Sequence, residues 1–291
     1  MTEFYESVKE RLMRYARINT ESDPHSTSVP TTSCQHDLAS AIYEELQEIG
    51  ATNVYYDKDT CVVYGSLEAN VKTGRAIGFV THMDTAPDAS GKDVKPWVLE
   101  HYDGNDIVLN KEKDIVMSPS VFPNLKQYIG QDLILTDGTT LLGGDDKASI
   151  AAVMTLLEHL VKHPEIKHNF ISVAFTPDEE VSGLAKDLDL ERFKSPIAYT
   201  LDGDHLGYYM DETFNASLST IEIHGISVHT ATAKGIMKNA VDIGNAFLNK
   251  LPALEKPQYT QGREGFYHVV SFNGDCEYAK IEINVRDHDS L

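Results

Sequence analysis

Four short apolar runs in this chain each end in a carboxylate or an imidazole, and that pattern restricts the fold more than any bulk property does. His82 and Asp84 follow the run at 76–81. Asp145 and Asp146 follow 140–144. Glu179 and Glu180 follow 171–177, and Asp202 follows 197–201. Apolar runs of this length predict buried strands. In an open α/β sheet, ligands bind beyond the carboxyl ends of strands. Oxygen and imidazole donors delivered there from four strands point to a metal site holding more than one ion.

The bulk properties exclude several classes. The 291 residues carry 45 acidic and 25 basic side chains, for a formal charge of -20. Phosphate backbones need a basic surface, so nucleic acid is excluded as a partner, and anionic membranes are disfavoured. Net acidity suits a cationic substrate group or a bound divalent ion, or serves solubility alone. The opening residues lack a basic start and an apolar core, and read as no signal peptide. No apolar stretch approaches the length of a membrane span. Cys34, Cys61 and Cys276 are sparse and form no C-x-x-C pair, which predicts packing residues in a reducing cytoplasm.

Phe4, Val8, Leu12 and Tyr15 predict an amphipathic helix, followed by a polar loop over 20–33. Leu38, Ala39, Ile42, Leu46 and Ile49 predict a second helix stopped by Gly50. Runs at 54–56 and 61–64 read as a hairpin. The stretch 88–130 is long and irregular, and loops of that size carry local strands or function. Ile150, Ala151, Met154, Leu157 and Val161 mark a strong helix with Asp145 and Asp146 at its start. Near 211–215 the pattern changes from α/β alternation to strands of alternating polarity, at 219–224 and 279–285, around a helix marked by Ala240, Ile243, Ala246 and Phe247. We therefore expect an α/β unit over 1–212 and a smaller α+β unit over 213–291.

The individual motifs are weak alone. Asp145 and Asp146 read equally as acids at a helix start, Glu179 and Glu180 as a solvated loop, and Asp202-Gly203 as a turn. Their joint occurrence after apolar runs favours the metal site. Asp84, two residues after His82, suits a carboxylate that holds the imidazole ring. Glu179 and Glu180, on an extended backbone, are expected to point opposite ways, so that one binds metal and the other acts as base. Lys147 reads as a local charge partner of the acidic pair. Arg263 and Arg286 fit a substrate carboxylate or surface acids equally well.

Residues 81–85 (THMDT), 141–148 (LLGGDDKA), 175–181 (FTPDEEV) and 200–203 (TLDG) together resemble the tripeptide-aminopeptidase branch of the M20 metallopeptidase family. The likeness continues through 214–216 (FNA), 228–229 (VH), 232–235 (TAKG), 264–268 (EGFYH) and 284–287 (NVRD). The resemblance implies a zinc-peptidase-like mixed sheet flanked by helices, with a smaller lid domain. It implies two zinc ions, replaceable by Co2+ or Mn2+ in vitro. Asp145 would bridge them, His82 and Asp202 would complete one, and Glu180 would bind the other. Glu179 would be the general base and Asp84 would orient His82. His229 is similar to the lid histidine that stabilises the oxyanion, often across a dimer, although Thr230-Ala231 stands where the family has Pro-Gly. The implied substrates are short peptides with a free N-terminus, in the cytoplasm, with a homodimer through the lid. Family members continue beyond residue 291 into a return to the catalytic domain with a further histidine ligand. That leads us to expect a truncated form of impaired activity. The alternatives are a non-catalytic fragment, or a dipeptidase or amide deacylase of the same family.

Overall fold

The computed structural model describes residues 2–72, 74–182, 188–203 and 207–289. The chain divides into two compact units, Met1–Asp204 and His205–Leu291, each with its own sheet. The residues from 207 to 214, on either side of the expected boundary at 212/213, form neither helix nor strand.

The first unit opens with the two predicted helices, α1 (Thr2–Ala16) and α2 (Gln35–Ile49). Gly50 ends α2 in the left-handed conformation at φ 87°, and its N–H closes on the Gln47 carbonyl. The hairpin follows as β1 (Thr52–Asp57) and β2 (Val62–Leu67), then β3 (Ile77–His82). The long stretch beyond it is not structureless. It holds β4 (Trp97–Leu99), β5 (Ile107–Asn110), β6 (Ile115–Met117) and β7 (Leu133–Leu135), paired as β4–β7 and β5–β6 around Tyr102, Ile107, Leu125 and Leu135. The unit is completed by α3 (Gly144–Lys162), β8 (Ile171–Thr176), α4 (Glu179–Ser182), α5 (Leu190–Phe193) and β9 (Ala198–Thr200).

The main sheet has the order β1-β2-β8-β3-β9. The β1–β2 and β2–β8 pairs are antiparallel, and β8–β3 and β3–β9 are parallel, so the sheet is mixed. Side chains alternate between its faces. Val63, Val173 and Phe175 join the core made with α1, α2 and α3, while Tyr64 and Ala174 face Phe193 of α5 on the opposite side. Phe193 packs so close to β3 that a Cβ on Gly78 would lie 2.2 Å from its ring, which explains a glycine in mid-strand. Arg11 ties the helices together. It donates to Glu45 and to Glu158, each at 2.7 Å, and Glu45 also accepts from Arg14 and Tyr15.

One expected strand is absent. Residues 140–143 are irregular and Gly144 already opens α3, with Gly138 and Gly143 at φ 75° and 74°. A left-handed backbone breaks the pleat, and the Leu141 N–H bonds the Ser90 carbonyl rather than a ladder partner.

In the second unit, β10 (Asn215–His224), β11 (Phe266–Gly274) and β12 (Tyr278–Asp287) form an antiparallel sheet in the order β10-β12-β11. Ala279, Ile281 and Ile283 of β12 are buried. The helix α6 (Ala240–Leu248) is capped by Asn239, whose side chain accepts from the Val241 and Asp242 N–H groups. Its Gly244 backs onto the Phe272 ring. The strand β11 was not expected. A register shift between Val269 and Ser271 interrupts its alternation, as a bulge does.

Candidate metal centre

His82 is the last residue of β3, and three hydrogen bonds hold that strand end. The N–H of the next residue, Met83, donates to the Thr176 carbonyl at 2.8 Å, carrying the β3–β8 pairing past the end of the strand. The His82 N–H donates to Asp146 Oδ2 at 3.2 Å. The ring Nδ1 faces Asp84, 3.1 Å from its carbonyl and 3.3 Å from Oδ1. With Nδ1 so engaged, the free ring donor is Nε2. It stands 2.9 Å from Asp145 Oδ1, 3.8 Å from Asp202 Oδ2 and 3.9 Å from Glu179 Oε2. His82 and Asp84 are buried, whereas Asp145 and Asp202 are exposed.

Asp84 is a clamp as well as a partner for the ring. Its two oxygens accept from the N–H groups of Glu179 (2.9 Å) and Glu180 (3.1 Å). One buried carboxylate thus fixes the strand end and the first turn of α4 together. This corrects the expected extended backbone at Glu179 and Glu180. Both lie in a short helix, because their N–H groups find an acceptor in Asp84 and need no ladder. Asp145 likewise comes from the start of α3 and not from a strand. Gly143 precedes it at φ 74°, where a Cβ would lie 3.0 Å from Thr85.

The electrostatics are those of acids crowded around one base. Burial opposes charge on His82, but its hydrogen bond to Asp84 and the fields of Asp84, Asp146 and Glu179 prevail and raise it to about 10. Burial raises the Asp146 carboxyl to about 7. Burial also raises Glu179 and Glu180. The negative charges of Asp202 and Asp84 add to the effect on Glu179, and that of Asp145 to the effect on Glu180. His82, Asp145 and Asp202 each present one donor atom within 4.8 Å of the others. One imidazole nitrogen and two carboxylate oxygens suit a divalent ion such as zinc, and a cation there would relieve the mutual repulsion of the acids. The donor set therefore fits a metal. Glu180 is outside this three-residue group, although its carboxyl feels the charge of Asp145.

His229 belongs to the second unit, at the start of the 3-10 turn Thr230–Thr232. It is exposed, and its Nδ1 accepts from the Ala231 N–H at 3.2 Å. In the same unit Arg263 pairs with Glu212, and Arg286 lies over the Phe214 ring, 4.9 Å from its centroid. Lys147 is not a surface charge partner. It is buried, donates from Nζ to the Ile18 carbonyl at 2.8 Å, and is lowered to about 8 by burial.

One supporting group was invisible in the sequence. Asp178, at φ 60°, accepts from the Thr31 N–H and from Gln35 Nε2 at 2.7 Å, while its own N–H donates to Gln35 Oε1. That lashes the turn before α4 to the loop before α2. The only available signal was Pro177-Asp178 as a turn dipeptide; its partners lie more than a hundred residues away.

The M20 peptidase dimerisation domain matches residues 212–290. Peptidase T of Caldanaerobacter subterraneus subsp. tengcongensis is 48% identical over 283 residues, covering 97% of this chain and 69% of that protein. Peptidase T of Geobacillus kaustophilus is 50% identical over 281 residues, covering 96% and 68%. The crystal structure of the aminopeptidase PepT from Bacillus cereus shares the fold, with a TM-score of 0.66 at 21% identity over 98% of this chain and 67% of that one. By the extent and level of these identities, the chain belongs to the peptidase T family of M20 metallopeptidases.

Proposed function

We propose that the chain is a metallo-aminopeptidase that releases the N-terminal residue from tripeptides. The observation that carries this reading is the convergence of His82 Nε2, Asp145 and Asp202 on one point, with Glu179 Oε2 3.9 Å from the same nitrogen. The family relatives named peptidase T supply the substrate class.

His82, Asp145 and Asp202 would hold one divalent ion, and Asp145 with Glu180 would hold a second, zinc being the ion of choice. Such ions supply Lewis-acid polarisation of a carbonyl and a water of lowered pKa. Glu179 accepts the proton of the attacking water and delivers it to the leaving amine, a role favoured by its upward shift. Asp84 keeps Nε2 of His82 aimed at the centre and anchors the backbone that carries Glu179. The surrounding carboxylates attract the free amine of the peptide. His229 is the oxyanion donor in this reading. With Nδ1 accepting from Ala231, its neutral ring carries the proton on Nε2. We assign 1–212 as the catalytic part and 213–291 as the lid, and we place a homodimer on the lid. The cytoplasm is the compartment that suits three free cysteines, and no described helix is long and apolar enough to cross a membrane.

The test is metal counting per chain together with turnover of di-, tri- and tetrapeptides with free and acetylated amines. The expected result is bound divalent metal of which His82→Ala loses at least one equivalent per chain, and cleavage confined to free-amine tripeptides. An unchanged metal count in His82→Ala, or preference for acetylated or dipeptide substrates, would overturn the assignment.

A further inference from the structure

The far end of α3 carries a second group of metal-ligating side chains. His159 is in the last turn of α3, and His163 caps that helix with its N–H on the His159 carbonyl, which brings the two imidazoles side by side. Their ring centroids are 4.4 Å apart, with planes inclined by 40°. Two imidazoles bound to one ion at roughly 2.0–2.1 Å, at angles between octahedral and tetrahedral, have centroids about 4.5–5.2 Å apart. The pair therefore stands close to chelating separation.

Three further features converge on it. Glu165 Oε1 lies 3.0 Å from His163 Nδ1, which leaves Nε2 for an ion; ligating histidines usually have such a carboxylate partner. Phe4 of α1 packs edge-on against His159 at 5.1 Å between centroids, so this ring is already oriented. A cavity of about 320 Å³, lined by Phe4, Ser7, Thr155 and the two histidines, opens beside them with room for an ion and its waters. Lys162 also lines it, but its charge is taken up by Glu158 at 2.7 Å. The C-terminal end of a helix favours positive charge as well.

We propose that His159 and His163 form a second metal site, for a divalent transition ion coordinated by two imidazole nitrogens and water. It is distinct from the centre at the start of α3, since the helix from Lys147 to His159 rises about 18 Å. A donor set of imidazole and water favours Cu2+ over Ni2+.

The experiment uses Cu2+ and Ni2+ on the full chain, with Asp145→Ala as a background in which the first centre is crippled. The expected result is one retained equivalent whose Cu2+ electron paramagnetic resonance shows two imidazole nitrogens. His159→Ala and His163→Ala each reduce the spectrum to at most one nitrogen and weaken binding at least tenfold. Glu165→Gln keeps both nitrogens and weakens binding by roughly 10-fold, as loss of an outer partner does. A retained equivalent unchanged in His159→Ala or in His163→Ala, or a single-nitrogen spectrum in the parent, would overturn the proposal.

Discussion

The middle of the five-stranded sheet and the edge of the three-stranded sheet are buried to opposite degrees. Every residue of β2 and β8 is buried, whereas in β10 only Ile221 and Ile223 escape full exposure. The difference shows where ionisable chemistry can be held. The covered middle of that sheet ends in a site where His82, Asp84 and Asp146 are nearly withdrawn from water, so each hydrogen bond there acts in a low dielectric. A sheet such as β10-β12-β11, with a buried row confined to Ala279, Ile281 and Ile283, instead presents side chains to whatever meets its surface.

Four measurements break or sharpen that contrast. The largest effect is expected from Asp84→Ala, which unpairs a buried imidazole and frees two helix N–H groups. We expect a loss of about 3–5 kcal/mol in urea unfolding and a fall in metal affinity of roughly 10–100-fold. An unchanged midpoint would show that the clamp is ornamental. Next, Leu157→Ala opens a cavity in the core between helices and sheet, where Leu157 is fully buried; the expected cost is about 3 kcal/mol at constant m-value.

The third effect is a pH dependence. Burial pushes the Glu45 carboxyl up, but hydrogen bonds from Tyr15, Arg14 and Arg11 outweigh it and hold the group below its ordinary value. A depressed folded pKa contributes stability that is present above the unfolded value, about 4.3, and disappears as pH falls through the folded one. The melting temperature of the parent should therefore decline as pH drops below about 5. Glu45→Gln should be less stable at pH 7 and should show a shallower decline, measured by thermal melts across that range. The smallest effect is expected from Leu218→Ala on β10. This side chain is 65% exposed, and the change should stay within about 0.5 kcal/mol. A larger loss would mean that the exposed sheet is packed in solution, as a subunit interface would require.

Much of the architecture was legible because helices and strands write their periods locally. The face of α1, the stop of α2 at Gly50, the β1–β2 hairpin and the alternation of β12 are all recorded in neighbouring residues. The run at 140–144 misled because apolar composition outweighed Gly143 within it and Gly138 just before it, whose left-handed backbone ends any pleat. The strand β11 was hidden by its bulge. Candidate donors for the site were named from the sequence, but the helical backbone of Glu179 and Glu180 could not be read there. Their helical turn exists because Asp84, nearly a hundred positions earlier in the chain, accepts from their N–H groups. Lys147 shows the same limit: a lysine beside two aspartates reads as their partner, yet it extends into the interior toward the Ile18 carbonyl.

From the sequence alone came the α/β class and an inventory of imidazole and carboxylate donors placed just past apolar runs. These follow from periodicity and side-chain chemistry, both properties of short stretches. Only the folded chain decided which carboxylate is buried as a clamp, which stands open toward a cation, and which titrates near neutrality. Desolvation and hydrogen bonding depend on groups brought together from remote positions, and no local pattern encodes them.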